Sequence, residues 1–437
     1  MNTRSASSIT TPELSYHDSD GIRRTVAEPE TTNVTATMLA PGQTEEGGTL
    51  LGLEAEMIVA DARTLVAQDA RVLLDMKLDG AAELHPELNI EIVELAFSRG
   101  LDYDTLRESI VRSMGALRER LSASGQELLM TSVYPFGKLT VDTENPYIAM
   151  LTERYGAAVS ENVGFIGVQL HKEFRDLGVG IELYNQLRTV LHYLTVFTLN
   201  SPLTNDGRYR GMASERIGAK KLNVLGGIPP RITGSPEEYV QDYQRKLDLG
   251  LYEGPSATNY DVRPPRLHTN TIEINVIDIC QNTRHWFALL DLYDQICQAI
   301  ALHHREGKRL PETLFNPDLD ADSLAYNRHA VAMSGTESAI VEGTGRRKTP
   351  LKEQIEALLR FLEDDAGLRF QDHRTSSVLH DVLDQGSPAE RQVQQYARRT
   401  GRTRREIVGT TIDPALIREV LAEEISTAAA TLDADIR

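Results

Sequence analysis

The chain has 437 residues, enough for about three average domains or one large α+β enzyme. Its 46 Lys and Arg stand against 64 Asp and Glu, a net charge of -18, which argues against a nucleic-acid scaffold or an anionic-membrane binder because both need basic surface. Cys280 and Cys297 are the only cysteines, which excludes a disulfide framework and a thiolate metal cluster. No apolar run approaches the roughly 18–20 residues of a membrane span, and the polar N-terminus lacks the apolar core of a secretory signal. The expectation is a soluble cytoplasmic protein with no nucleic-acid or membrane partner, with a homo-oligomer left open.

Residues 1–45 are rich in Ser, Thr, Pro and acids without periodic apolar pattern, which predicts a flexible N-terminal arm. From there the pattern is α+β. Alternation predicts strands over 50–60, 88–97, 163–171 and 269–278, and helical spacing predicts helices near 102–123 and 177–199. In the second of these helices Leu187, Val190, Leu191 and Leu194 share one face, which should pack against the sheet. After Asn282 long helical patterns follow at 284–304, 351–364, 388–399 and 413–430, with almost no strand signal. Gly335 to Thr349 reads as a loop between helices. The expected division is an arm over 1–45, a catalytic domain over 46–335 and a helical region over 336–437 packed on it.

The strands carry the chemistry. In Leu51-Gly52-Leu53-Glu54-Ala55-Glu56-Met57, side chains alternate, so Glu54 and Glu56 share a face about 6.6 Å apart while Leu53, Ala55 and Met57 take the other. Such a pair needs a cation, and oxygen-only ligands suit magnesium. The plainer reading of the pair is a half-exposed edge strand with two solvated acids. Three further strands repeat the design. Gln169 and His171 share a face in one, and Thr271, Glu273 and Asn275 share a face in another. Glu91 and Glu94 lie in a third and point to opposite sides, which leaves either as the functional acid. Taken singly, His171 reads as well as a structural histidine and Gln169 as a hydrogen-bond partner. Taken together, a sheet with one apolar face and one face of Glu, Gln, His and Asn points to ions and a polar substrate.

Two arginine-bearing segments complete the candidate set. Residues 200–216 follow a helix and hold Arg208, Arg210 and Arg216 among prolines, glycines and hydroxyls; residues 261–266 place Arg263 and Arg266 just before the strand of Glu273. Guanidinium forks suit phosphate and carboxylate, although a solvated basic loop is the plain alternative for the first segment. Arginines beside metal-binding acids are what phosphoryl transfer requires. The sequence contains no Walker-type loop, dinucleotide fingerprint, kinase signature or zinc-protease helix.

The series GLEAE at 52–56, VEL at 93–95, Gln169-Leu-His171, NSPLTNDGRYRGMASER at 200–216, DVRP at 261–264 and TIEINVID at 271–278 resembles the glutamate-cysteine ligase family, most nearly its second bacterial branch, the carboxylate-amine ligases. The resemblance covers residues 48–282 in the family's order. It implies a glutamine-synthetase-like domain: a curved antiparallel sheet holding magnesium and ATP on its concave face, with helices on its convex face. It further implies metal ligation at Glu54, Glu56, Glu94, His171 and Glu273, which selects Glu94 over Glu91. Catalytic phosphate contacts are implied at Arg216 and Arg263, and nucleotide contacts at Gln169, Arg208, Arg210 and Asn275. The implied reaction is ATP- and Mg-dependent: the carboxylate of glutamate or a similar small molecule takes the γ-phosphate, and the acyl phosphate is captured by an amine. A guanidino phosphotransferase of the same fold and a non-catalytic nucleotide-binding protein are the alternatives. Three positions depart from the family pattern: Asn275 in place of an arginine, Gln169 in place of a histidine, and Lys172-Glu173-Phe174 in place of small residues.

Overall fold

The structure, a computed structural model, describes residues 50–78, 82–97, 100–146, 148–149, 153, 164–219, 226–249, 259–267 and 269–436, with the backbone of a strand pair at Ser15–His17 and Arg23–Thr25. Apart from that pair, the arm expected over 1–45 lies outside the described residues.

A seven-stranded antiparallel sheet forms the centre. Its strands are β1 (Leu51–Asp61), β2 (Ala82–Pro86), β3 (Ile92–Phe97), β4 (Gln126–Leu129), β5 (Gly167–Glu173), β6 (Val262–Arg266) and β7 (Thr271–Asp278), in the order β6-β7-β5-β1-β3-β2 with β4 also paired to β1. The alternation in β1 is realised: Leu53, Ala55 and Met57 are fully buried, while Glu54 and Glu56 are half-buried. β1 is long enough to pair with β5 through its first half and with β4 through its second. Register breaks in β6 between Arg263 and Arg266 and in β7 between Ile274 and Ile277 bend the sheet at that edge.

Helices cover one face. α1 (Tyr103–Ser122), α2 (Leu177–Thr195) and the short α3 (Glu215–Ala219) are followed by α4 (Pro236–Asp248), α5 (Thr283–Arg305) and α6 (Ala321–Ser334). α2 packs on β6 and β7, and on α5 and α6. Its face of Leu187, Val190, Leu191 and Leu194 is buried as its spacing predicts. Short polar side chains start these helices. Asp102, Asp176 and Asn282 accept the N–H of Thr105, Val179 and Arg284 at 2.8, 3.0 and 3.0 Å, satisfying donors that have no partner inside the helix.

The C-terminal region is helical: α7 (Leu351–Arg360), α8 (Arg374–Gln385), α9 (Pro388–Thr400) and α10 (Pro414–Ile436). The expected loop at 335–349 instead contains a hairpin of Ala339–Val341 and Lys348–Pro350, whose three-residue strands are too short for alternation to show. The helical pattern expected over 351–364 ends its α-helix at Arg360 and continues as a π-helical turn, Phe361–Asp365. α4, α6 and α8 had no counterpart in the sequence reading. For α6 the reason is visible: only Leu324, Asn327, Val331 and Ala332 of it are buried, too weak a stripe to stand out.

Two buried polar nodes fix the site segments to this frame. Asp278 at the end of β7 accepts from Asn200 N at 3.0 Å, Ser201 Oγ at 2.7 Å and Ser214 Oγ at 3.1 Å, which pins both ends of the 200–216 segment. Lys172 of β5 donates to Asp294 of α5 at 2.6 Å, tying the sheet to its helical cover. This accounts for a lysine where the family has a small residue: Lys172 points to the helices, away from His171.

Candidate active site

Directly opposed residues of antiparallel strands share a face. The register sets Arg263 against Glu273, Glu273 against His171, Gln169 against Glu54, and Glu56 against Glu94. One face of the sheet therefore carries, from edge to centre, Arg263, Glu273, His171, Gln169, Glu54, Glu56 and Glu94. Glu91 lies just before β3, where its carboxylate accepts Thr140 N–H at 2.9 Å and secures the 140 loop.

At one end of this face Glu56, Glu94 and Glu87 each offer an oxygen, all within 4.8 Å of one another. Glu87 is absent from the sequence reading. It follows Pro86 at the end of β2, where there is no alternation to mark it, and the turn into β3 brings it beside Glu94. Burial, and then the Glu56 charge, push the Glu87 carboxyl up to about 8. Burial, and then the Glu87, Glu54 and Glu56 charges, push Glu94 up to about 10. Carboxyls in such surroundings hold protons unless a cation replaces them. Three oxygen donors, hard and anionic, fit a magnesium-like ion. Glu56 is aimed by its other contacts, since it accepts Gly167 N–H at 2.7 Å and the Gln169 amide at 3.1 Å.

The other end of the face is charge-balanced. Glu273 is fully buried and is met by Arg263 at 2.9 Å and by Arg266. His171, also buried, lies 3.2 Å from Glu54 Oε1 and 4.0 Å from Glu273 Oε2. It therefore bridges the two ends of the face. Buried Nε of Arg263 has no hydrogen-bond partner among the described residues. Of the expected metal ligands, Glu56 and Glu94 meet in the three-glutamate cluster, while Glu54, whose charge acts on Glu87 and Glu94, contacts His171, which in turn lies beside Glu273.

Arg216 is buried at the Glu56 end of the face. It donates to the carbonyls of Ile277 at 3.1 Å and Asn275 at 3.0 Å and lies 3.9 Å from Asp278. Gly167 makes this possible, because a Cβ there would collide with the Arg216 guanidinium. Asn275 is buried in β7, its N–H bonded to Asp261 O at 3.1 Å. Arg210 is exposed and paired with Glu215; Arg208 is exposed on the Leu203–Tyr209 turn, its backbone bridged to Thr411. Both lie on the exposed side of the 200–216 segment, whereas the sequence reading took them as nucleotide contacts.

No family model matches the chain. Curated relatives carry the name "Putative glutamate--cysteine ligase 2". The one from Paracoccus denitrificans is 24% identical over 358 residues, covering 81% of this chain and 92% of the relative. The one from Roseiflexus castenholzii is 24% identical, covering 78% and 89%. A "Putative glutamate--cysteine ligase 2-1" of Rhodococcus jostii is 23% identical, covering 82% and 95%. Among solved structures, a glutamate-cysteine ligase from Francisella tularensis in complex with AMP matches with a TM-score of 0.56 at 13% identity, over 89% of this chain and 94% of that one. A bifunctional glutathione synthetase from Pasteurella multocida also gives 0.56 at 12% identity, over 87% of this chain and 52% of that one. In sequence the chain is similar to proteins named putative glutamate-cysteine ligase 2, and in fold it is similar to the Francisella tularensis glutamate-cysteine ligase.

Proposed function

We propose that this protein is an enzyme of the carboxylate-amine ligase type that joins the γ-carboxyl of glutamate to an amine, using ATP and magnesium and passing through an acyl phosphate. The single observation that carries the reading is the convergence of Glu56, Glu87 and Glu94 on one point of the sheet face. The names of the relatives support the ligase class, and the AMP held by the Francisella tularensis enzyme supports nucleotide use.

Glu56, Glu87 and Glu94 are the residues that fit magnesium, which when bound would supply charge neutralisation for phosphate oxygens. The chain's own part is positioning. Gly167 N–H and Gln169 hold the Glu56 carboxylate in place, and Arg216 braces β7 through its backbone at the same end. Arg263, with a buried unpartnered Nε, faces the region where negative charge develops on phosphoryl transfer. Glu273 and His171 are buried on this half of the face. No nucleophilic side chain is required. Holding two reactants in register can lower a barrier by about 7–11 kcal/mol.

Phosphate release from ATP with glutamate and a panel of amines, followed by mass spectrometry of the product, tests the proposal. A γ-glutamyl amide formed only when both glutamate and an amine are present is the expected result. A phosphorylated guanidino product would place the protein with phosphotransferases of the same fold, and nucleotide binding without phosphate release under any amine would make it a regulatory protein.

A further inference from the structure

Residues 398–405 read Arg-Arg-Thr-Gly-Arg-Thr-Arg-Arg, five arginines and no acid in eight residues of a chain whose net charge is -18. They close α9 and lead into a short helical turn, Arg404–Ile407. Gly401 turns the chain in the left-handed region, at φ 67°, and Thr403 N–H donates to Glu406 at 2.6 Å. The run is fixed to the rest of the protein. Tyr209 N–H donates to Thr410 O at 3.0 Å, Gly409 N–H to Tyr209 O at 2.7 Å and Ile412 N–H to Gly207 O at 3.0 Å, while Arg404 Nε donates to the Tyr209 hydroxyl at 2.8 Å. Arg208 and Arg210 of the 200–216 segment therefore border the run.

Only part of this charge is used inside the protein. Arg399 is held by Glu419 at 3.2 Å and by Glu423, and Arg210 is held by Glu215. Asp206 offsets Arg208, and Glu406 lies near Arg402. Arg398, Arg404 and Arg405 are exposed and have no acid within ion-pair distance among the described residues, and the hydroxyl that Arg404 meets is neutral. An apolar spot lies among these charges. Val408 is 47% exposed and sits over Gly211, where a Cβ would be 3.6 Å from Val408 Cγ1.

We propose that this surface docks an acidic peptide segment of a partner protein, its carboxylates on Arg402, Arg404 and Arg405 and an aliphatic side chain against Val408. Guanidinium forks bind carboxylates bidentately, and arginines on a backbone already ordered by hydrogen bonds lose less freedom when they do so. A short acidic segment fits the extent of the charge. A long nucleic acid would run off the arginines onto an acidic body, and this surface has no exposed aromatic side chain among the described residues on which a base could stack. An anionic membrane would press the same acidic body against like charge. The surface lies outside the carboxylate face, so the inference does not rest on the ligase reading.

Titration of the full-length protein into a fluorescent octapeptide of glutamates and aspartates around one leucine, read by anisotropy, is the test. An oligothymidylate of similar length and vesicles of anionic phospholipid form separate arms. Saturable binding of the peptide is expected, weakening about tenfold between about 0.05 and 0.3 M salt as the charges are screened. Arg402→Glu combined with Arg405→Glu should weaken it about tenfold or more, because attraction becomes repulsion. The same change in net charge on α1, Arg112→Glu combined with Arg120→Glu, should leave it unchanged. All four positions are exposed, and the unfolding midpoint of each variant checks that it is folded. Absence of saturable peptide binding, equal or tighter binding of the oligothymidylate or the vesicles, unchanged affinity in the Arg402 and Arg405 variant, or an equal loss in the α1 variant would each overturn the proposal.

Discussion

His171 and Lys172 are adjacent in β5 and face opposite sides of the sheet, and the charges around them are arranged in opposite ways. On the helix side Lys172 is matched by Asp294, whose second oxygen accepts from Gln298 at 2.8 Å and Gln371 at 2.9 Å. Nearby Asp291 accepts two backbone N–H groups and the Thr375 hydroxyl, so the carboxylates there are fully used. On the other side three glutamates crowd one point with their carboxyls pushed far above the usual carboxylate range. The fold pairs Lys172 and uses both of the neighbouring aspartates on one face, and gathers three carboxyls with no basic partner in the cluster, among the described residues, on the other. This crowding is the observation behind the proposal that a cation binds at the three glutamates.

The contrast is broken most strongly from the helix side. Lys172→Met removes one partner of a buried ion pair and should cost about 3–5 kcal/mol in denaturant unfolding. Replacing Lys172 and Asp294 together by apolar residues should recover much of it. A loss within experimental error for the single variant would mean that the pair does not tie the sheet to α5. Gly167→Ala drives a methyl into Arg216 at the site end and should cost about 1–3 kcal/mol as overpacking, with turnover falling further than stability because Glu56 leans on Gly167 N–H. An undisturbed Ala variant would show that Arg216 has room to move.

A third prediction uses pH. Burial pushes the Glu424 carboxyl of α10, which accepts from Gln392 at 3.0 Å, up to about 8 from 4.5. A folded value above the unfolded one means that this contribution to stability is complete below about pH 4.5 and is lost as pH rises through about 8. Glu424→Gln should flatten the stability profile over that window, and an identical profile in the variant would remove Glu424 as its cause. The smallest effect belongs to the carboxylate face. Glu94→Gln replaces a carboxyl that, without divalent cation, already holds its proton near neutral pH by a neutral side chain of the same shape, so unfolding without divalent cation should change by less than about 1 kcal/mol. A large destabilisation would show that Glu94 is structural.

How much of this was legible beforehand follows from the physics of each element. The strand face was readable because period-two alternation survives in Glu54, Glu56, Gln169, His171 and Glu273 whatever the strands pair with. Glu94 and Glu91 could not be separated by that rule alone, since both sit in one short run, and pairing of Glu94 with Glu56 depends on a register that the sequence does not print. Glu87 was invisible because it stands beyond a proline at a strand end, and only the β2–β3 turn folds it inward. The fate of the arginines was equally hidden. Arg208, Arg210 and Arg216 look alike in one loop, yet Gly167 admits Arg216 to the sheet while Glu215 claims Arg210. Long amphipathic helices were found, and α6, with its narrow buried stripe, was not.

The central claim is that Glu56, Glu87 and Glu94 together hold a divalent cation, and calorimetric titration of magnesium into the wild-type protein and into Glu87→Gln addresses it most directly. The wild type should bind magnesium saturably, and the variant, folded and of similar unfolding midpoint, should bind it about tenfold more weakly or worse. Equal magnesium affinity in the two proteins would contradict the claim.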